Sequence, residues 1–256
     1  MLWVVERQFI VVLGPAGSGK TTLTASFGRW VEEKQGLSVG YVNLDPGADI
    51  LPYKADFDIR RYVNVRDVMK KYGLGPNGAF IKCADLMLED LERIIAGIDS
   101  VKSEYVIVDT PGQMELFVFR RSGPTIIDGL RSLGFPIAVV VFDPSLAGSP
   151  VDIAALKLMT TVVQLRLNVD SVPVLNKVDL PSSSEVAKVL ESSKDLLEAL
   201  RYEEGLSADL AQALMTVLED YRQASRLVKV SALQGTGLEE LYDILHEVYC
   251  TCGDLT

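Results

Sequence analysis

Between an apolar run ending at Leu13 and a stretch with helical spacing, the chain reads Gly14-Pro15-Ala16-Gly17-Ser18-Gly19-Lys20-Thr21-Thr22, which fits the pattern G-x-x-x-x-G-K-[ST]. Glycines let such a backbone curl until several amide hydrogens and the positive end of the following helix converge on one phosphate. Lys20 then reaches the terminal phosphates of a nucleotide, and Thr21 offers its hydroxyl to Mg²⁺. A Gly-rich turn with no ligand is the competing reading, and the strand-loop-helix context argues against it.

Further along, Val106-Ile107-Val108-Asp109-Thr110-Pro111-Gly112-Gln113 places an acid at the end of a strand-like run. Asp109 suits the surroundings of the metal, the Gly112 amide is placed to meet a γ-phosphate, and Gln113 to orient an attacking water. Phosphoryl transfer needs positioning and charge compensation more than a strong base. Asp45 ends another run in Val42-Asn43-Leu44-Asp45-Pro46-Gly47. Its carboxylate is expected on the same sheet edge, near Mg²⁺ or the water, with an Asx turn before proline as the bland alternative.

Asn176-Lys177-Val178-Asp179 fits N-K-x-D. A carboxylate at Asp179 can accept two hydrogen bonds from guanine's ring N–H and exocyclic amine, donors that adenine lacks. Lys177 lays its stem along the base and Asn176 ties the base loop to the phosphate loop. Ser231-Ala232-Leu233, after the last strand-like run, supplies a backbone amide to the guanine O6.

These residues need a frame that brings strand ends together. Apolar runs at Phe9–Leu13, Val39–Asn43, Tyr105–Val108, Ile137–Phe142, Val172–Leu175 and Leu227–Val230 alternate with amphipathic stretches. The surest of those are Gly19–Gln35, Val151–Leu167 and Leu238–Val248. That alternation predicts an α/β fold with a largely parallel, buried sheet. Two excursions interrupt it, residues 46–99 and 181–226. In the second, Val186, Val189, Leu190, Leu196, Leu197 and Leu200, then Leu206, Leu210, Leu214, Val217 and Tyr221, fall at helical spacing on either side of Gly205. They predict two helices with one buried face each, packed at the sheet edge; a lid or a partner-binding element is the alternative.

The 256 residues, 48% of them hydrophobic, suffice for one globular domain over residues 1–256. A formal net charge of -10 argues against binding nucleic acid or anionic membrane by phosphate neutralisation. The acidity is uneven, with 14 acids against 6 bases after residue 180. A single histidine, His246, excludes histidine triads and multi-histidine zinc sites; it is read as a packing or surface residue. Cys83, Cys250 and Cys252 are too few for a disulfide framework and fit a reducing cytoplasm. No apolar run approaches the roughly 20 residues that span a bilayer. Arg120 and Arg121, on an expected helix, read as surface or dimer contacts rather than arginine fingers.

Gly75-Pro76-Asn77-Gly78 would by itself read as a β-turn with proline second. Taken with GPAGSGKT, NLDPG, DTPGQ, NKVD and SAL in that order, it makes nearly the whole chain resemble the GPN-loop GTPases. The resemblance implies a P-loop NTPase three-layer sandwich with a mainly parallel central sheet and helical insertions, and a cytoplasmic homodimer of the signal-recognition/MinD-like class. It implies GTP/GDP and Mg²⁺ as ligands, the metal near Thr21, Asp45 and Asp109. It also implies that Asn77, in the loop Gly75-Pro76-Asn77, acts at the partner's phosphate site while Lys20, Asp45, Asp109 and Gln113 act in their own. The lysine that related ATPases carry at the start of the P-loop is missing here, where Gly14, Pro15 and Ala16 stand. A protein client, RNA polymerase assembly among the possibilities, is implied by the resemblance alone, as is a nucleotide-gated interaction module whose hydrolysis only resets partner binding.

Overall fold

Successive residues of the first apolar run serve opposite faces of a sheet. Phe9, Val11 and Leu13 enter one buried cluster, while Ile10 and Val12 enter the other. A strand apolar on both faces needs cover on both, and the helices supply it in two layers. The structure is a computed structural model that describes residues 7–180, 186, 188, 193–220 and 227–253.

Seven strands form one sheet: β1 (Gln8–Leu13), β2 (Val39–Asn43), β3 (Phe57–Asp58), β4 (Tyr105–Asp109), β5 (Phe135–Phe142), β6 (Asp170–Leu175) and β7 (Val228–Lys229). Their order is β3-β2-β4-β1-β5-β6-β7, every neighbouring pair parallel. Because β1 has β4 on one side and β5 on the other, the loop leaving β1 opens at the switch point where open α/β sheets bind ligands.

One face is covered by α1 (Lys20–Trp30), through Leu23 and Phe27, and by the last helix, through Leu238, Leu241, Ile244 and Leu245. The other face carries α2 (Val65–Tyr72), α3 (Pro76–Glu89), α4 (Leu91–Asp99), α5 (Met114–Phe119), α6 (Ser122–Arg131), α7 (Pro150–Leu167), α8 (Ser193–Leu200) and α9 (Leu206–Asp220). The last helix is then α10 (Leu238–Gly253). No helix among the described residues is long and apolar enough to cross a membrane.

The strands follow the sequence expectation closely, with β5 starting earlier, at Phe135, and β7 shortened to Val228–Lys229. Strand β3 was not expected: two residues at the sheet edge carry no periodicity to read. The expected helix over 19–35 is α-helical to Trp30 and closes in a π turn, Val31–Gln35, ended by Gly36 at φ 67°.

The 181–226 excursion corrects the expected pattern. Val186, Leu196 and Leu200 are buried as expected, whereas Val189, Leu190 and Tyr221 lie outside the described residues. Helix α9 is turned the other way. Ala208, Ala211 and Met215 face the core, leaving Leu206 84% exposed and Leu210, Leu214 and Val217 on the solvent side. This helix carries apolar residues on two sides, and the alanines of its inward stripe allow closer approach to α7 and α8 than leucines would.

Candidate functional site

The loop from Gly14 to Gly19 joins β1 to α1 and is shaped by two contacts that admit no side chain. A Cβ on Gly14 would lie 2.4 Å from the Val141 carbonyl oxygen of β5, and one on Gly19, at φ 91°, would lie 2.4 Å from Asn176 Nδ2. Lys20 is 5% exposed, and its Nζ donates to the carbonyls of Gly14 at 2.8 Å and Pro15 at 2.9 Å. The lysine expected on terminal phosphates therefore sits inside its own loop, whose carbonyl oxygens take the hydrogens that phosphate oxygens would otherwise accept. Burial lowers its pKa, with the carboxylates of Asp109, Asp45 and Glu115 opposing that shift.

Two acids stand beside this lysine. The β2–β4 register sets Asn43 next to Asp109, which is 1% exposed at the end of β4. Burial pushes the Asp109 carboxyl up to about 6, against the downward pull of the neighbouring Thr21 and Tyr53 hydroxyls. The Tyr53 hydroxyl donates to Asp109 Oδ2 at 2.9 Å, and Oδ1 has no hydrogen-bond partner. Asp45 is fixed by Asn43, whose Oδ1 accepts from the Asp45 N–H at 3.0 Å and whose Nδ2 donates to the Asp45 carbonyl at 3.2 Å and to Asp58 Oδ1 at 2.9 Å. Asp58 is in turn gripped by Arg60, which also donates to the Ala48 carbonyl at 2.8 Å.

The Asp45 carboxylate accepts from the Gly47 N–H at 2.8 Å, the Asx turn, and from the Gly112 N–H at 3.3 Å. The Asx turn is therefore formed, and the same carboxylate also reaches the loop that follows β4. Gly112, expected to present its amide to a γ-phosphate, gives it to Asp45 instead, since a carboxylate is the anionic acceptor within reach. Burial raises the Asp45 pKa despite these two amides. Next to Gly112, the Gln113 side-chain oxygen is buried without a hydrogen-bond partner.

These donors fit Mg²⁺ better than a cation caged by protein. Among the described residues no three His, Cys, Asp or Glu side chains gather at one point. Mg²⁺ is commonly held by one or two carboxylates plus substrate phosphates and water. The Asp109 carboxylate, whose Oδ1 is buried and unpartnered, and the Thr21 hydroxyl that bears on it are such a partial set.

At the other end of the loop, Asn176 is 1% exposed and makes two ties. Its Nδ2 donates to the Ser18 carbonyl at 2.9 Å, and its Oδ1 accepts from the Ala232 N–H at 3.0 Å. One side chain so joins the Gly-rich loop, the β6 loop and the β7 loop. Lys177 adopts φ 59°, unusual for a residue with a side chain, and its Nζ donates to the Gly17 carbonyl at 2.7 Å and to the buried Asp143 carboxylate. That ion pair holds Asp143 below the usual carboxylate range although burial opposes it. Asp179 is exposed, with Oδ1 accepting from the Ser231 hydroxyl, which itself accepts from the Gln234 N–H at 3.1 Å. Leu233 is 81% exposed.

Gly75-Pro76-Asn77-Gly78 is not a free β-turn. It opens α3, with Gly75 as N-cap and Pro76 at the first helical position, where a missing N–H costs nothing. Gly75, Pro76 and Asn77 are exposed. The helix they begin bears on the Asp45 loop, since a Cβ on Gly47 would fall 2.5 Å from the Phe80 ring. Arg120 is extended backbone between α5 and α6, not helical, and pairs with Asp85 of α3 at 3.1 Å. His246 is exposed on α10, 3.5 Å from Cys250 Sγ, and Cys83 is buried. The side chain of Cys252 lies outside the described residues.

Asn43, Tyr53 and Arg60 were missed as site-shaping residues. Asn43 stands inside the NLDPG motif and was open to notice; Tyr53 and Arg60 reach the site only through the folded loop.

A family model described as a conserved hypothetical ATP binding protein matches residues 12–251. A GPN-loop GTPase of Pyrococcus abyssi is 36% identical over 97% of this chain and 100% of its own length. The chain belongs to the GPN-loop GTPase family. The crystal structure of a Pyrococcus abyssi GTPase in its apo form superposes with a TM-score of 0.88, at 34% identity, over 96% of this chain and 98% of that one. GPN-loop GTPase 1 of Dictyostelium discoideum is 32% identical over 91% of this chain, which spans 59% of that longer relative. The P-loop fold expected of a GPN-loop GTPase is the fold observed.

Proposed function

We propose that this GPN-loop protein is a Mg²⁺-dependent GTPase that works as a homodimer. The observation that carries the guanine end is Asn176, which bridges the Ser18 carbonyl and the Ala232 N–H and so fixes the base-reading loops against the phosphate loop. Asp179 is the guanine acceptor, with one carboxylate oxygen already oriented by Ser231. Adenine would leave that carboxylate facing ring nitrogens that donate nothing. The family model's adenine label therefore fits this chain less well than the guanine label of its relatives.

At the phosphate end Lys20 turns from its loop carbonyls to the terminal phosphates, and the backbone amides up to Thr22 follow the helix N-terminus. The Thr21 hydroxyl and the Asp109 carboxylate would hold the metal, which would supply charge neutralisation at the terminal phosphates. The Gly112 amide leaves Asp45 for the γ-phosphate, which frees the Asp45 carboxylate to orient the attacking water with Gln113. Asn77, exposed at the head of α3, reaches the phosphate site of the second copy. With no arginine assigned to the site, intrinsic turnover is slow.

A second reading, a nucleotide-gated assembly factor, is favoured by the exposed apolar side of α9 at Leu206, Leu210 and Val217. Partner capture that differs between GDP and a non-hydrolysable GTP analogue supports it; equal capture rejects it.

The experiment for the main reading is Asp179→Asn. An amide there donates where guanine N2 donates, so the variant should lose GTP affinity by ~10²-fold or more and gain XTP, in line with the cost of an unpaired polar group. Retained GTP selectivity rejects the base assignment.

A further inference from the structure

Tyr53 lies between Asp45 and β3, outside every nucleotide motif of the sequence. Its ring stacks on Tyr41 of β2, with centroids 5.2 Å apart and planes 20° from parallel. The loop that carries it is pinned to the same strand, because Asp56 Oδ2 accepts from the Tyr41 N–H at 2.9 Å and the Asp56 N–H donates to the Tyr41 carbonyl at 2.8 Å. The hydroxyl is therefore delivered on a fixed base. It donates to Asp109 Oδ2 at 2.9 Å.

That bond makes the two carboxylate oxygens unequal. Oδ2 is taken by the phenol and Oδ1 is buried with no hydrogen-bond partner. A carboxylate free to turn about its side-chain bonds would present either oxygen to the space beside Thr21. One anchored at Oδ2 has a single oxygen left to present. Residues that anchor a metal-facing carboxylate in this way shift metal affinity by about tenfold or more when removed. We propose that Tyr53 is a positioning residue for the metal end of the site, holding Asp109 so that Oδ1 alone faces the divalent cation. The proposal rests on the reading of Asp109 and Thr21 as the Mg²⁺ end of a nucleotide site.

Tyr53→Phe keeps the ring on Tyr41 and removes only the donor, so it isolates the hydroxyl. The measurement is release of a fluorescent GDP from the full chain, titrated with Mg²⁺ and repeated in EDTA. For the wild type, Mg²⁺ should slow release. For Tyr53→Phe the half-saturating Mg²⁺ should rise ~10-fold, with release in EDTA and KM for GTP at saturating Mg²⁺ unchanged. Equal Mg²⁺ dependence in variant and wild type overturns the positioning role and leaves the nucleotide site standing. Parallel weakening with and without Mg²⁺, with a lowered Tm, marks Tyr53 as structural and also overturns it. A wild type indifferent to Mg²⁺ removes the metal site and the proposal together. Tyr53→Leu, which loses ring and hydroxyl alike, should show the same Mg²⁺ shift plus lost thermal stability; a stability loss alone counts against the proposal.

Discussion

Asp45 accepts the Gly112 N–H across the gap between the β2 and β4 loops, at 3.3 Å. The amide that follows Asp109 is thereby engaged by a carboxylate where a γ-phosphate would later compete for it. Because Asp45 also holds Gly47 at 2.8 Å, and Gly47 lies under Phe80 of α3, release of this bond is linked through packing to the helix that begins at Gly75. The loop of Asp45, the loop of Gly112 and the head of α3 thus share one contact chain.

If Asp45 serves the water and not the binding of nucleotide, Asp45→Asn should slow single-turnover hydrolysis by ~10²-fold while GTP affinity stays within about threefold. An amide keeps one acceptor for Gly47 or Gly112 but loses the charge. Loss of affinity equal to the loss of rate would place Asp45 in binding alone.

The role of Asn77 in the second copy has a complementation signature. Asn77→Ala alone should retain GTP binding and lose hydrolysis by ~10²-fold, the scale for removing one transition-state donor. Lys20→Ala alone should bind poorly. Mixed together, the two variants form one intact composite site per heterodimer, and activity should return in the mixture. Activity in the mixture no greater than the sum of the separate variants would rule out action in trans.

Asp109 gives a pH prediction for the protein without metal and nucleotide. Its pKa stands at about 6 in the folded chain against an ordinary carboxylate value of 3.8, so between those values the folded state holds more proton than the unfolded one. Stability therefore falls as pH rises through that window and is level above it. Asp109→Asn carries no such penalty. The variant should be more stable than wild type by about 3 kcal/mol at pH 7.5, from the size of the shift, and the gap should narrow towards pH 4. Urea denaturation at the two pH values measures it; an equal gap at both would contradict the assignment.

Much of the frame was open to reading because parallel strands buried on both faces leave continuous apolar runs. Phe9–Leu13 and Val106–Val108 are such runs, and the chemistry follows directly at their ends. The N-K-x-D corner was equally open, since Asn176, Lys177 and Asp179 directly follow β6 and make their contacts to the loops at neighbouring strand ends. What escaped depended on tertiary choice. Helix α9 offers two apolar stripes, and only packing against α7 and α8 decides that Ala208, Ala211 and Met215 go inward. Tyr53 comes from a loop with no periodicity, and its link to Asp109 spans two strands. The helical start at Gly75 was hidden because glycine and proline suit a β-turn as well as a helix N-terminus.

The central claim is that this fold selects and hydrolyses guanosine triphosphate. Phosphate release should be followed with GTP and with ATP, each with Mg²⁺, together with competition of excess ATP against GTP turnover. Slow Mg²⁺-dependent release from GTP, little from ATP and no competition by ATP at tenfold excess is the result this site predicts. Equal release from both nucleotides, or ATP displacing GTP at equal concentration, would contradict it.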